Sequence, residues 1–138
     1  MFKGKTVLIT GASAGLGKQM ALRAAELGAN LVLAARRKEK LAALEEEIQS
    51  RWPHINVLVQ PTDVKQKSEV ENLITEAVKR FKTIDCFIAN AGKSMWSRFL
   101  DIKDPDEIED LMQLNVMAVV YAAFFALPGP CAFAAGSP

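Results

Sequence analysis

The chain has 138 residues, of which 50% are hydrophobic and 24% are charged, a composition that suits one globular domain. Its 17 basic and 16 acidic residues are interspersed and give a formal net charge of +1, so no basic footprint for nucleic acid is present. Two cysteines, Cys86 and Cys131, are too few for a disulfide framework, and we expect both as free thiols in a reducing compartment.

Strands and helices alternate along the chain. Short apolar runs predict four strands, over residues 6–10, 31–35, 56–60 and 84–89. Helical periodicity predicts helices over residues 16–27 and 38–50, a third from a capping box at Ser68 and Glu71, and a fourth over 105–127 that Asp104 caps. The most apolar run, residues 116–127, is shorter than the roughly 20 residues that cross a bilayer, so it predicts a buried helix.

This alternation predicts an α/β fold. Right-handed crossovers lead us to expect a Rossmann-type, doubly wound parallel sheet of about four strands in the order 3-2-1-4, with flanking helices. We assign residues 1–128 to this domain and residues 129–138 to an irregular tail. The ligand crevice is expected at the carboxyl ends of strands one and four, where the strand order reverses.

A glycine-rich turn joins the first strand to the first helix, with the spacing G-x-x-x-G-x-G over residues 11–17. Such glycines let the backbone approach a pyrophosphate, and the first helical turn points unpaired N–H groups at it. The spacing differs from G-x-G-x-x-G and from a P-loop. A purely structural turn is the alternative. The predicted phosphate-binding residues are Gly11, Ser13, Ala14, Gly15, Leu16 and Gly17.

Three further motifs follow the turn in order: Asp63-Val64, Asn90-Ala91-Gly92 and Asn115. Together with the turn they resemble the short-chain dehydrogenase/reductase family, over residues 3–128, which corresponds to its N-terminal, cofactor-binding half. The resemblance implies hydride transfer between NADP(H) and a small alcohol or ketone substrate, without a metal or nucleic acid. The segment 94–96, Ser-Met-Trp, looks most like the hydroxysteroid-dehydrogenase-like and carbonyl-reductase-like branches.

The resemblance also implies a role for each motif. Asp63 would accept a hydrogen bond from the adenine amino group, and the Val64 amide would contact the ring. The small residues of segment 90–92 would let the ribose and nicotinamide lie against the backbone. Asn115 would be the catalytic residue of this chain, because the matching asparagine holds a water in a proton relay. The residues alone leave alternatives open: a loop cap for Asp63, a turn former for Asn90, and a structural hydrogen bond from a buried amide for Asn115.

The end of the second strand bears on cofactor choice. NAD-binding proteins place an acid there for the ribose 2′-hydroxyl, but this chain has Ala35 followed by Arg36 and Arg37. A guanidinium pairs with a 2′-phosphate, so NADP is predicted in preference to NAD. Ala14 departs from the pattern, since many NADP-dependent relatives carry a basic residue there. A solvated helix start is the alternative for the two arginines.

The family's catalytic serine and Tyr-x-x-x-Lys pair have no match in this sequence. The single tyrosine, Tyr121, is followed four residues later by Phe125, and the serine would lie on a fifth strand beyond residue 138. We therefore expect a truncated, inactive form of an oxidoreductase, or alternatively a non-catalytic NADP-binding or interaction fragment. Without a fifth strand, strand four becomes an edge, which predicts self-association or a full-length partner. No signal-peptide pattern is visible, so a cytoplasmic location is expected.

Overall fold

The computed structural model describes residues 2–127; the predicted tail, residues 129–138, lies outside them. Four parallel strands form one sheet in the order β3-β2-β1-β4. Their bounds are Thr6–Thr10 for β1, Asn30–Ala35 for β2, Val57–Pro61 for β3 and Cys86–Ile88 for β4. The predicted fold class and strand order are confirmed.

Helices connect the strands and cover the sheet. Their bounds are Gly15–Glu26 for α1, Lys38–Arg51 for α2 and Lys67–Phe81 for α3. After a 3-10 turn, Phe99–Asp101, the last helix consists of α4 (Asp106–Met112), a π-helical turn (Gln113–Met117) and α5 (Ala118–Ala126). Asp104 Oδ1 accepts a hydrogen bond from the Asp106 N–H at 3.0 Å, so its predicted capping role is confirmed.

Both faces of the sheet are buried. Alternate residues of β1 point to opposite sides, so Val7 and Ile9 pack with α1 and α2, whereas Leu8 packs with α3. Leu31 and Leu33 of β2 join the first side. Burial on both faces explains why these strands are continuous apolar runs.

The predicted capping box at the start of α3 was wrong. The helix begins at Lys67, so Ser68 lies within its first turn and makes no capping hydrogen bond. A preceding turn displaces the helix start, because the Gln66 N–H donates to the Asp63 carbonyl at 2.9 Å. Glu69, and not Glu71, is the residue of α3 that accepts a hydrogen bond from the preceding loop: its Oε2 lies 2.6 Å from the Asp63 nitrogen.

The apolar run at 116–127 forms a helix, as predicted, but only one side of this helix is buried. Ala118, Ala122 and Ala126 are buried, but larger apolar residues face solvent, with Phe124 63% exposed. The core covers the side of α5 that carries these three alanines, and Tyr121 and Phe125 are partly buried beside them. By length and composition alone, Asp106–Ala126 is the one helix among the described residues that could cross a membrane. Core helices of soluble proteins share this length and composition.

β4 has a neighbouring strand on one side only within the described residues. It is shorter than predicted, three residues long, although Ile84 just before it is buried. Cys86 in this strand is a free, half-buried thiol, in agreement with its prediction, and burial raises its pKa. Cys131 lies outside the described residues.

Candidate functional site

A cleft of about 290 Å³ opens where the loops after all four strands meet α4. Nine predicted site residues line it: Gly11, Ser13, Ala14, Arg36, Arg37, Asp63, Val64, Ala91 and Gly92. Six further lining residues were not predicted as site residues: Ala35, Thr62, Lys65, Lys93, Asp110 and Leu114. Most of the residues that line this cleft were therefore predicted from the sequence, and they come from four separate loops.

The remaining predicted residues lie beside this cleft. Asn90 and Asn115 border a neighbouring open depression, which shares Ala91 and Gly92 with the cleft wall. Gly15 and Leu16 are exposed at the start of α1, and Gly17 is buried beneath the turn.

The glycine-rich turn is tightly packed at two of its glycines. Gly11 has a φ of +67°, and a Cβ on it would lie 2.9 Å from the Ala91 Cα. A Cβ on Gly17 would overlap the Gly11 carbonyl oxygen. These glycines let α1 and the loop after β4 approach the turn closely.

Gly15 has a different environment. Its φ is +55°, and a Cβ placed on it would meet no atom within 4 Å. The open space lies at the beginning of α1, whose first N–H groups have no partner within the helix. No acidic residue occupies the first turn of α1, so nothing there opposes an anion. A side chain on Gly15 would therefore project into the open space in front of the N-terminus of α1.

Thr10 and Asn90 hold the turn against the loop after β4. The Asn90 Nδ2 donates to the carbonyl oxygens of Thr10 at 3.1 Å and Gly11 at 3.3 Å. The Thr10 Oγ1 accepts from the backbone N–H groups of Asn90 at 3.1 Å and Ala91 at 3.2 Å. Thr10 was not among the site residues that the sequence predicted. A buried hydroxyl residue at the end of an apolar strand was the available signal, because such a group needs a partner.

Arg37 connects the end of β2 with the glycine-rich turn. Its Nη2 donates to the Ser13 hydroxyl at 3.4 Å. Both Arg36 and Arg37 are exposed and line the cleft, next to the buried Ala35. No carboxylate therefore stands at the place where an acid would repel a phosphate.

Asp63 lies in the cleft wall and also caps its own loop. Its Oδ1 accepts a hydrogen bond from the Lys65 N–H at 3.1 Å. The adjacent Val64 is buried against Val70 and Ala118. Both the binding interpretation and the loop-cap interpretation of Asp63 are therefore compatible with this geometry.

Asn115 is exposed, so the expectation of a buried amide was wrong. Its side chain is nevertheless paired at both ends with the backbone of Lys93: Oδ1 accepts from N–H at 3.0 Å, and Nδ2 donates to the carbonyl at 2.7 Å. Gly92 permits this approach, since a Cβ there would lie 3.1 Å from Asn115 Oδ1. Asn115 belongs to the π-helical turn, a distortion that is frequent at functional sites.

Asp110 accepts hydrogen bonds from two lysines at the rim of the cleft. Its Oδ1 lies 2.6 Å from the Lys65 Nζ, and its Oδ2 pairs with the Lys93 Nζ. The Lys65 hydrogen bond, followed by that of Lys93, lowers the pKa of Asp110 to about 2. The sequence offered no signal for this cluster, because the three residues are far apart along the chain.

Charged residues in the cleft wall favour an anionic ligand. Four cations and two carboxylates give the wall a formal charge of +2, namely Arg36, Arg37, Lys65 and Lys93 against Asp63 and Asp110. Positive groups in a concave site raise the local concentration of anions.

Tyr121 does not line the cleft. Its hydroxyl accepts a hydrogen bond from Gln113 Nε2 at 3.2 Å on the last helix. Trp96, in the segment after Gly92, is 96% exposed and donates to the Ser94 hydroxyl at 3.1 Å.

A parallel sheet in this order, with a glycine-rich turn facing a cleft at the switch point, defines a Rossmann-type dinucleotide-binding fold. The family model described as short chain dehydrogenase matches residues 5–130. The chain belongs to the short-chain dehydrogenase/reductase family, as the sequence motifs predicted.

Individual relatives agree with this assignment. An 11-beta-hydroxysteroid dehydrogenase of Pinus massoniana is 36% identical over 126 residues, which cover 91% of this chain and 35% of that protein. An uncharacterised oxidoreductase of Staphylococcus saprophyticus is 40% identical over 126 residues, covering 91% and 49%. The chain thus spans about a third to a half of the length of these relatives.

A solved structure shows the same fold. L-sorbose reductase from Gluconobacter frateurii, complexed with NADPH and L-sorbose, superposes with a TM-score of 0.86 at 28% identity. The match covers 93% of this chain and 48% of that protein. A nicotinamide dinucleotide cofactor is therefore the ligand class that the family indicates.

Proposed function

We propose that this chain binds NADP(H) in the cleft. The observation that carries the proposal is the Arg37–Ser13 contact at 3.4 Å, which places a guanidinium between the end of β2 and the glycine-rich turn. Arg36 stands beside it, and the neutral Ala35 leaves room for a 2′-phosphate. The NADPH that is present in L-sorbose reductase supports this choice of cofactor.

The residues of the chain fit such a ligand. The open space at Gly15 and the N-terminus of α1 would accommodate the pyrophosphate. Asp63 and Val64 would hold the adenine, while Ala91 and Gly92 would lie against the ribose and nicotinamide. When bound, the nicotinamide supplies or accepts the hydride.

Asn115 would act in catalysis by positioning. Both its amide atoms hold the Lys93 backbone, which fixes the loop after β4 at the border of the open depression. That geometry supports a role in orienting a water or the loop beside the nicotinamide end. We therefore propose Asn115 as a positioning residue for the reaction of the whole protein.

For the whole protein we propose hydride transfer between NADP(H) and an alcohol/ketone pair. The 11-beta-hydroxysteroid dehydrogenase and the sorbose reductase among its relatives support an oxidoreductase of small hydroxy compounds. We also propose that the exposed last helix mediates self-association or pairing with a full-length relative. A cytoplasmic location is proposed as well.

A second candidate is a chain that binds the dinucleotide without turning over a substrate. One observation favours it for these 138 residues: the single tyrosine, Tyr121, accepts a hydrogen bond from Gln113 on the last helix and is followed four residues later by phenylalanine, not lysine. Binding would then serve interaction with another chain.

Calorimetry with NADPH and NADH tests the binding proposal. We expect NADPH to bind more tightly, and the Arg36→Ala/Arg37→Ala variant to lose about 1.5–3 kcal/mol for each charge-assisted pair with NADPH, but little with NADH. Lys40→Ala, which removes an exposed charge from the first turn of α2, outside the cleft wall, is the matched control. Equal wild-type affinities would contradict the NADP preference, and no binding of either cofactor would contradict the site.

A further inference from the structure

One carboxylate joins two loops of the cleft wall. Asp110, on α4, binds the ammonium groups of Lys65 after β3 and Lys93 after β4, one with each of its oxygens. Both lysines line the same cleft as Asp110. The ion pairs therefore connect three separate segments around one opening.

The same helix also holds the backbones of the two lysines. Gln113 Nε2 donates to the Lys65 carbonyl at 3.1 Å. Asn115 makes its two hydrogen bonds with the backbone of Lys93. Each lysine is thus fixed at its backbone by one residue of the π-helical turn and at its ammonium by Asp110.

The π-helical turn explains how one helix makes both contacts with Lys93. In a regular α-helix, side chains five residues apart point in different directions. Here the Ala118 N–H donates to the Gln113 carbonyl, an i→i+5 bond that widens the turn. Asp110 and Asn115, which are five residues apart on this helix, both reach Lys93.

We propose that Asp110 is a positioning residue for the adenosine end of the dinucleotide. Its carboxylate holds the ammonium group of Lys93, whose backbone belongs to the loop proposed to border the nicotinamide, next to that of Lys65 beside Asp63 and Val64, and so fixes both lysine side chains at that end of the cleft. The inference rests on the proposed function, since Lys65 follows Asp63 and Val64, the residues proposed to hold the adenine. Asp110 would act on the ligand indirectly, through the two lysines that it holds.

Removing the carboxylate would change the wall in two ways. Lysine side chains have high rotamer entropy, so without an ion-pair partner they would no longer hold one position. Lys65 and Lys93 would also become two like charges at one rim, without the anion that now lies between them. Both changes widen or disorder the gap that the adenosine end must fill.

The test uses the full 138-residue chain and two probes, NADPH and 2′,5′-ADP, which is the adenosine half alone. Asp110→Asn keeps the shape of the side chain and removes its charge. Glu109→Gln removes an exposed charge from the same helix and is the matched control. Asp110→Glu restores a carboxylate. Binding is measured by calorimetry, and each melting temperature is recorded.

We expect Asp110→Asn to weaken the binding of NADPH and 2′,5′-ADP by the same factor, about 2- to 5-fold, as for the loss of partly exposed ion pairs. Asp110→Glu should recover most of the affinity, and Glu109→Gln should change neither ligand. A lower melting temperature with unchanged affinities would assign Asp110 a structural role only. Tighter binding of either ligand by Asp110→Asn would contradict the proposal, because it would show that Asp110 weakens the attraction of the lysines for anions. A loss of affinity for NADPH alone would also contradict it, because Asp110 would then act on the nicotinamide end.

The two proposals fail in distinguishable ways. If wild-type protein binds neither probe, the proposed function fails and the role of Asp110 fails with it. If wild-type protein binds both and Asp110→Asn binds them equally well, only the role of Asp110 is overturned.

Discussion

The Asn90 side-chain nitrogen lies 2.6 Å from the position that a Cβ on Gly17 would occupy. The same nitrogen donates to the carbonyls of Thr10 and Gly11, so it cannot move away without breaking those bonds. Gly17 is therefore the point at which α1, the glycine-rich turn and the loop after β4 meet.

Gly17→Ala should destabilise the fold. Replacing a helical glycine with alanine normally stabilises by up to about 1 kcal/mol. Here the added methyl overlaps the Gly11 carbonyl, and overpacking of this kind costs about 1–3 kcal/mol. Urea unfolding would measure the change, with Gln19→Ala, at an exposed position of α1, as the control. A stabilised Gly17→Ala protein would show that the turn has room to relax.

Gly15→Val should abolish dinucleotide binding while leaving the chain folded. The branched side chain would enter the open space in front of the N-terminus of α1. The backbone φ of +55° at this position also costs a residue with a Cβ about 1–2 kcal/mol of stability. Calorimetry with NADPH measures the binding, and circular dichroism the fold.

Gly4→Val is the matched control for Gly15→Val. Gly4 also has a positive φ, +73°, and no atom within 4 Å of a Cβ, but it precedes β1 and lies outside the glycine-rich turn. The Gly4→Val protein should lose a comparable amount of stability and keep its affinity for NADPH. Normal binding by Gly15→Val would place the pyrophosphate elsewhere.

The Asp110 ion pairs should survive until strongly acidic pH. Because its pKa is lowered to about 2 from an ordinary 3.8, the carboxylate stabilises the fold above pH 4, and this contribution is lost as pH falls from about 4 toward 2. A carboxyl-carbon NMR titration would measure the value. Lys65→Met should raise it, whereas Lys40→Met, on α2, should not. An Asp110 that titrates near 3.8 in the wild type would contradict the pairing.

The chain should self-associate through the last helix. Val116, Val120 and Phe124 are exposed on one helix, and leaving apolar area in water costs about 25 cal/mol per Å². Light scattering at several concentrations should show oligomers that dissociate on dilution. Val120→Lys should reduce their size, whereas Leu100→Lys, at an exposed apolar position in the 3-10 turn, should not. A monomer at every concentration would contradict this prediction.

The 138-residue chain should show no turnover of alcohols or ketones with NADP(H). The family's Tyr-x-x-x-Lys pair is absent from this sequence, and general acid–base catalysis typically supplies about 10²–10⁴ in rate. Absorbance at 340 nm, the NADPH band, would report any reaction. Should a protein-dependent change occur, its loss in Tyr121→Phe would identify Tyr121 as an unexpected proton donor.

The sequence by itself determined the sheet and most of the wall of the cleft. Apolar strands that are buried on both faces have a clear local pattern, and right-handed crossovers leave few arrangements, so the order 3-2-1-4 could be predicted. The glycine-rich turn and the segments at 36–37, 63–64 and 91–92 follow strand ends, and parallel strands bring those ends to one edge.

Only the tertiary structure decided how the loops are held around the cleft. Ser68 has the local pattern of a helix cap, but the turn at Asp63 moved the start of α3. Asn115 was expected to be buried, yet it is exposed and bonded to Lys93, because the core covers only one side of the last helix. Asp110 meets Lys65 from 45 residues away, a pairing that no local periodicity encodes, because it depends on the angle at which the last helix crosses the sheet.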